Sequence, residues 1–439
     1  MRTDNLNFFQ ISIFFLIFCN LFFGWGFQIF SISGIPINYI FLLLLLFTTK
    51  FSNLFHILNT KKIGSILFFF LLFHFLRLIY DFQKYGIIAL RDATYFIDIL
   101  YLLVAVNIFS NKVSFINFVN FLKICFVTVI IYVFLWFFKD EVINFSPTVQ
   151  SPLGQNTSLF FNFSTMAFFL VWFSFYKVIF SDHKKKFFNY LFLIFFVLFS
   201  IIVFQRRFIY LCLFSLFIIS FFFNRDEAIK ISAYFFLGLI ILPILNYMGI
   251  SLEGKVGRVT DMFFFFDHLA SAIPGYDGVN NKFEVTSNTA QKRIEFWSYV
   301  LKTQFSNLYT IFFGNGFGSP LVNFKAIGGV TVREPHNMYL TIFSRSGLVG
   351  FLFFIIMNLK LISIWFEVFN ILKQNKNSIH FKILIFSGIY FVLIYVSGLV
   401  DSNLSYNYFS IIFNILWGAI ISLNYIYTDK NSQKSKINI

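Results

Sequence analysis

His336 directly precedes an apolar run that opens near Met338, and an imidazole in that position could act as a general base on a hydroxyl. Of the six histidines, His56, His183 and His380 fall in short gaps on the opposite side of the bundle, His74 lies within an apolar run, and only His268 and His336 share the face of the long polar loop. Four arginines are candidate partners: the adjacent Arg206 and Arg207, then Arg293 and Arg333. Fork-shaped guanidiniums suit a phosphate or diphosphate. The turn Gly314-Asn315-Gly316-Phe317-Gly318 lacks the spacing of a dinucleotide fingerprint and has no Lys-Ser/Thr ending, which excludes nucleotide binding. Its glycines, Gly316 and Gly318 among them, would let backbone N–H groups approach an anion closely. Asn337 and Tyr339 flank the histidine's span, and Asp401 at the mouth of the last hairpin is a second acid or base.

Each candidate also has a plain structural reading. His336 could be an interfacial histidine beside an Asn337 helix cap, and the paired arginines could be interface anchors. The glycine turn could be only a tight loop, and Gly347 with Gly350 suits close helix packing. No second His or Cys stands at ligand spacing, so no metal and no cofactor is expected.

The elements that must carry these groups are membrane spans. Among 439 residues, 58% are hydrophobic and 12% charged, with a mean hydropathy of +0.78. That is about half the charge of a soluble domain. The 74 phenylalanines reflect compositional drift that lipid tolerates, and no function is attached to them. The net charge of +15 sits mostly in gaps between apolar runs, as topology determinants do, and no basic stripe with interleaved aromatics argues for nucleic acid. Cys19, Cys125 and Cys212 lie in apolar stretches and read as packing residues. The segment 7–30 reads as a first span and not as a removed signal peptide.

A crossing needs roughly 20 apolar residues. Such runs fall near 8–30, 35–49, 63–80, 93–109, 115–138, 158–180, 187–205, 207–223, 228–250, 339–372, 381–400 and 405–427. The expected fold is thus an all-α integral membrane protein with about 12 transmembrane helices and one large periplasmic loop carrying short helices. Residues 1–250 form a bundle of about nine spans, 251–337 the loop, 338–428 the C-terminal spans and 429–439 a tail. Lysines 61, 62, 184, 185, 186, 373, 376 and 382 place both termini in the cytoplasm, and the Arg206–Arg207 turn and the long loop outside. Within that loop a helix over 290–304, capped by Asn288 or Thr289, would put Arg293 and Trp297 on one face.

Arg293-x-x-x-Trp297, the GNGFG turn, His336-Asn337-x-Tyr339-Leu340 and Gly347-x-x-Gly350 together resemble the O-antigen ligase and O-antigen polymerase superfamily. The resemblance covers about 187–360; the first 180 residues match it only in being membrane spans. It implies glycan transfer from an undecaprenyl-diphosphate carrier on the outer face of a bacterial inner membrane, with no metal or nucleotide sugar. It carries the family's span-end arginine onto Arg206 or Arg207, its loop arginine onto Arg293 and its essential histidine onto His336. The chain departs from the pattern at Gln205, where Ser or Thr usually precedes a single arginine. The implied partners are the lipid-linked oligosaccharide, membrane lipid, a chain-length regulator and a flippase. A polymerase passes the glycan to another lipid-linked repeat unit, whereas a ligase passes it to lipid A core. Polymerase is preferred by analogy, since Phe-rich chains of this size are frequent among repeat-unit polymerases. A lipid-linked oligosaccharide flippase is the rival from another class, and it would need charges lining a cavity within repeated halves.

Overall fold

The computed structural model describes residues 8–32, 35–49, 51–60, 62–150, 156–160, 166–180, 186–204, 208–223, 225–248, 270, 284–322, 324–325 and 331–437. Over these residues the chain is an all-α membrane protein. Six helices are long and apolar enough to cross a bilayer: Gly64–Tyr85, Lys112–Phe145, Phe187–Phe204, Met338–Leu372, Ile379–Ser397 and Asn407–Thr428. Shorter apolar helices occupy Phe8–Phe23, Ile37–Phe47, Thr94–Ile108, Met166–Phe180 and Phe208–Phe221, and Arg225–Tyr247 is a further helix. Helices dominate because only an internally hydrogen-bonded backbone is tolerated where water is absent.

The last of the long helices is the core of the bundle: 94% of its apolar window is buried by protein, against 28% for Gly64–Tyr85. Small residues allow that burial. A Cβ on Gly418 would stand 2.6 Å from the Ala105 Cβ, so the last helix and Leu100–Ile108 approach almost backbone to backbone. Aromatics fill the remaining volume, with Trp417 stacked on Phe391 at 3.8 Å and Trp172 on Phe386 at 4.5 Å. Polar side chains cross-link the helices. The wholly buried Asp98 carboxylate accepts from Asn407 at 3.0 and 3.1 Å and from the Ser410 hydroxyl.

Among the described residues, three two-stranded antiparallel pairings interrupt the helices, joining Ser31–Ile32 with Ile35–Pro36, Thr148–Gln150 with Asn156–Ser158, and Phe324–Lys325 with Thr331–Val332. The loop helix runs over Glu284–Gln304, so it begins before the expected 290, and Asn288 and Thr289 lie inside it instead of capping it. The short helix Leu308–Phe313 follows, capped by Asn307, whose side chain accepts from the Thr310 N–H.

Two backbone features set the site. Gly347, with φ of 65°, interrupts the long Met338–Leu372 helix as its tenth residue. A Cβ there would sit 2.3 Å from the Phe312 carbonyl oxygen, so this glycine admits the end of the short helix Leu308–Phe313 and the turn that follows it. Gly350 does face a helix, through Phe73. The second feature is the turn after Ile379–Ser397, which carries Asp401 back towards the start of the histidine's helix.

Candidate functional site

Asn337 caps the Met338–Leu372 helix, its side chain accepting from the Leu340 N–H at 2.9 Å. The same end is stitched to the turn that follows Ile379–Ser397. The Met338 N–H donates to the Gly398 carbonyl at 2.8 Å, Asn337 Nδ2 to the Leu399 carbonyl at 3.0 Å and the Tyr339 hydroxyl to the Tyr395 carbonyl at 2.8 Å. Thr341 and Ser402 hydroxyls meet at 3.0 Å. These bonds bring His336 Nδ1 to 3.6 Å from the Asp401 carboxylate, an ion-pair contact slightly longer than a hydrogen bond. Both side chains remain about one-third exposed. His336 has a φ of 53°, a left-handed conformation shared among described non-glycine residues only with Lys62. Such a backbone costs about 1 kcal/mol or more and persists where its surroundings over-determine it.

Trp297 ties the loop helix to this point, its Nε1 donating to the Pro335 carbonyl at 2.8 Å. Arg293 stands one turn earlier on that helix and is partly buried. The helix face expected to matter therefore abuts the residue before the histidine. Arg206 and Arg207 lie outside the described residues, between Lys186–Phe204 and Phe208–Phe223.

Arg333, three residues before His336 in the chain, belongs to a cluster whose other members sequence reasoning missed. Asp92, wholly buried at the end of Ile87–Asp92, is the hub of three arginines. Arg91 reaches it at 2.7 Å, Arg345 at 2.8 Å and Arg333 at 3.7 Å. Burial alone would raise the Asp92 carboxyl, but Arg345 and Arg91 outweigh that and hold it below its ordinary value. Burial likewise pulls the Arg91 guanidinium down, and Asp92 and Glu334 more than reverse it. For Arg333 burial wins and its proton is held less tightly than usual. Glu334 is pushed up by burial and by Asp92, against the pull of Arg345, Arg91 and His336.

The glycine turn folds onto this cluster. Gly314, Gly316 and Gly318 take φ values of 76°, 80° and 89°, which point successive amides inward. The Phe317 N–H donates to Asp81 at 2.8 Å and the Gly318 N–H to Asp92 at 3.1 Å. The Gly316 N–H donates to the Arg345 carbonyl at 3.1 Å, so these amides bond groups of the chain itself. A Cβ on Gly316 would lie 2.4 Å from Asp81 Oδ2. Asp81 is itself held by Arg77 at 2.9 Å, and Arg77 also meets the Tyr309 hydroxyl. Arg345 donates to the Gly316 carbonyl at 3.0 Å and to the Ser319 carbonyl, and Arg333 to the Gly318 carbonyl at 2.6 Å.

One signal in the sequence could have found this cluster. Arg345 stands inside an apolar run, where an unpaired guanidinium is costly, so a buried carboxylate partner was required. Chemically, the arrangement offers an accessible imidazole with a carboxylate at its Nδ1, beside a set of guanidiniums that outnumbers its carboxylates. No protein-family model matches this chain, and no curated protein matches it.

Proposed function

We propose that the chain is a membrane glycosyltransferase of the kind its motifs resemble: a surface-polysaccharide (O-antigen) polymerase. It moves glycan from undecaprenyl diphosphate to a hydroxyl of a lipid-linked repeat unit. The observation that carries this reading is the His336–Asp401 pair, accessible at a helix start and set on a left-handed backbone, three residues along the chain from Arg333 of the Arg91–Asp92–Arg333–Arg345 cluster. Supporting it are the motifs at Arg293, Trp297 and 336–340, which meet through the Trp297–Pro335 bond.

In this reading the acceptor hydroxyl gives its proton to His336 Nε2 while its oxygen attacks the anomeric carbon. The bond from that carbon to the diphosphate oxygen breaks, and the carrier diphosphate leaves with the electron pair. Attack opposite the leaving group inverts the anomeric configuration. Asp401 at Nδ1 orients the imidazole and stabilises the imidazolium that forms. Arginines hold the leaving diphosphate where low polarity makes each charge contact stronger. The twelve-span topology, cytoplasmic termini and a site on the periplasmic face of the inner membrane belong to the same reading and rest on the lysine distribution. A lipid-linked sugar is the fitting donor there, since nucleotide sugars are confined to the cytoplasm.

The test is deletion in the native host followed by gel display of the surface polysaccharide. Single repeat units on the lipid A core are expected. Polymer left on its carrier would make the chain a ligase, and absence of exported glycan would make it a flippase.

A further inference from the structure

No charged residue stands between Lys302 and Lys325, although this stretch belongs to a loop and loops normally run over a wet surface. Its polar groups turn inward. The successive amides of Asn315, Gly316, Phe317 and Gly318 donate to the Ser344 carbonyl at 2.7 Å, the Arg345 carbonyl at 3.1 Å, Asp81 at 2.8 Å and Asp92 at 3.1 Å. Arg77, Arg345 and Arg333 donate in turn to the carbonyls of Gly314, Gly316 and Gly318. The wholly buried Gln304 side chain accepts from Asn315 at 3.0 Å and donates to the Thr310 carbonyl. Beyond the Asn307 cap the outward side is apolar instead. On the short helix Leu308–Phe313 the side chains of Leu308, Tyr309, Phe312 and Phe313 are exposed, Leu308 by 73%. Backbone groups satisfied within the protein, with hydrocarbon turned outward, reverse the pattern of a water-facing loop and meet the requirement for irregular backbone at membrane depth.

We infer that Leu308–Phe313 and the glycine turn form a re-entrant element seated in the lipid on the His336 side of the membrane, with Leu308, Tyr309, Phe312 and Phe313 touching acyl chains. The surroundings favour this occupant. The short helix lies against two membrane-crossing helices. Arg77 of Gly64–Tyr85 meets the Tyr309 hydroxyl and stands 5.5 Å from the centre of its ring, while Gly347 of Met338–Leu372 admits the Phe312 carbonyl. Gly64–Tyr85 faces lipid along most of its length, since only 28% of its apolar window is buried by protein. Leu76, Ile79 and Tyr80, around Arg77 on that helix, are exposed. The four loop side chains continue this apolar belt, and Arg77 beneath them is neutralised by Asp81 at 2.9 Å. Asp81, Asp92 and their arginines thereby gain a role separate from any reaction: they solvate the turn's backbone where water does not. The seat also fixes the height of the loop helix Glu284–Gln304, which ends three residues before Leu308, and with it the Trp297–Pro335 contact. It depends on the membrane character of the chain and not on the transferase reading.

The experiment uses the full-length protein in phospholipid nanodiscs. Leu308→Cys and Phe312→Cys, each carrying a nitroxide, are compared with two exposed reference positions: Leu359→Cys on the Met338–Leu372 helix and Lys376→Cys in the turn after it. Collisions are measured with oxygen, which concentrates in lipid, and with a water-soluble nickel chelate. Both loop positions should favour oxygen, as Leu359→Cys does. Leu308→Asp gives the magnitude. It places an acid at the first helical position, which water would favour, yet in lipid it should lower the folded-to-unfolded ratio about tenfold or more. A water-facing site would tolerate the same change within about twofold, and that result overturns the seat. The unaltered protein supplies a reading that no misfolded variant can spoil: a phospholipid with a photoactivated diazirine in its acyl chain should attach within 308–313 as well as at Leu359. Chelate access equal to that of Lys376→Cys, or photolabel at Leu359 with none within 308–313, overturns the inference. Protection from both collision partners overturns it too, because protein, such as a second copy of this chain, would then cover the face.

Discussion

Replacing Asp92 with Asn removes one charge and almost nothing else. The amide oxygen can still accept from the Gly318 N–H, which approaches the carboxylate at 3.1 Å, so the loop contact is kept. What is lost is the counter-charge for Arg91, Arg333 and Arg345, the last of them with no exposed side-chain surface. Asp92 has none either, so solvent screening does not discount the pair. Removing one partner of a buried ion pair costs about 3–5 kcal/mol, because the other is left charged and unpaired. The unfolding equilibrium should therefore shift by about two to four orders of magnitude. Titration with SDS in mixed micelles, followed by tryptophan fluorescence, measures it. Removing the stranded charge as well, in Asp92→Asn/Arg345→Met, should recover part of the loss and give a coupling above about 1.5 kcal/mol. The pH dependence has a definite direction. Asp92 titrates below its ordinary range in the folded state, so its contribution is complete above the unfolded carboxylate value and declines as pH falls through the depressed folded one. Variant and wild type should converge in acid. A loss below about 1 kcal/mol at neutral pH would refute the hub, since surface pairs alone account for that much.

Other outcomes follow from the same geometry. His336→Ala should reduce glycan transfer about 100- to 10,000-fold at normal membrane levels, and Asp401→Asn by about tenfold or more; near-normal turnover in a reconstituted assay removes the base or its orienter. Arg293→Lys should impair complementation of the deleted strain, because a point charge replaces a planar fork; full polysaccharide length with Lys argues against a phosphate clamp there. Gly316→Ala should destabilise by at least about 1–2 kcal/mol through its left-handed backbone, before its clash with Asp81 is counted, and the same SDS titration reads it. Transfer should persist in chelator, and loss of activity restored by a divalent ion would overturn the mechanism.

Membrane character and the general positions of the helices were readable in advance because burial in lipid is a property of each segment's own composition. The Asn337 cap was readable for the same local reason: Asn before an apolar run satisfies an exposed N–H of its own helix. Gly347 was visible as a glycine, but not that it breaks its helix to admit another backbone segment. Arg345 was visible as an arginine in an apolar run, but its partner Asp92 stands about 250 positions away in chain order. Nothing in the spacing of Asp81 and Asp92 marks them out, and only folding brings both beneath the glycine turn. Composition and spacing determine what one stretch of chain can do with lipid, water and its near neighbours. Which carboxylate neutralises which guanidinium, and which amides are thereby closed to a ligand, is decided by packing, because the Coulomb energy depends on separation in space and not on separation along the chain.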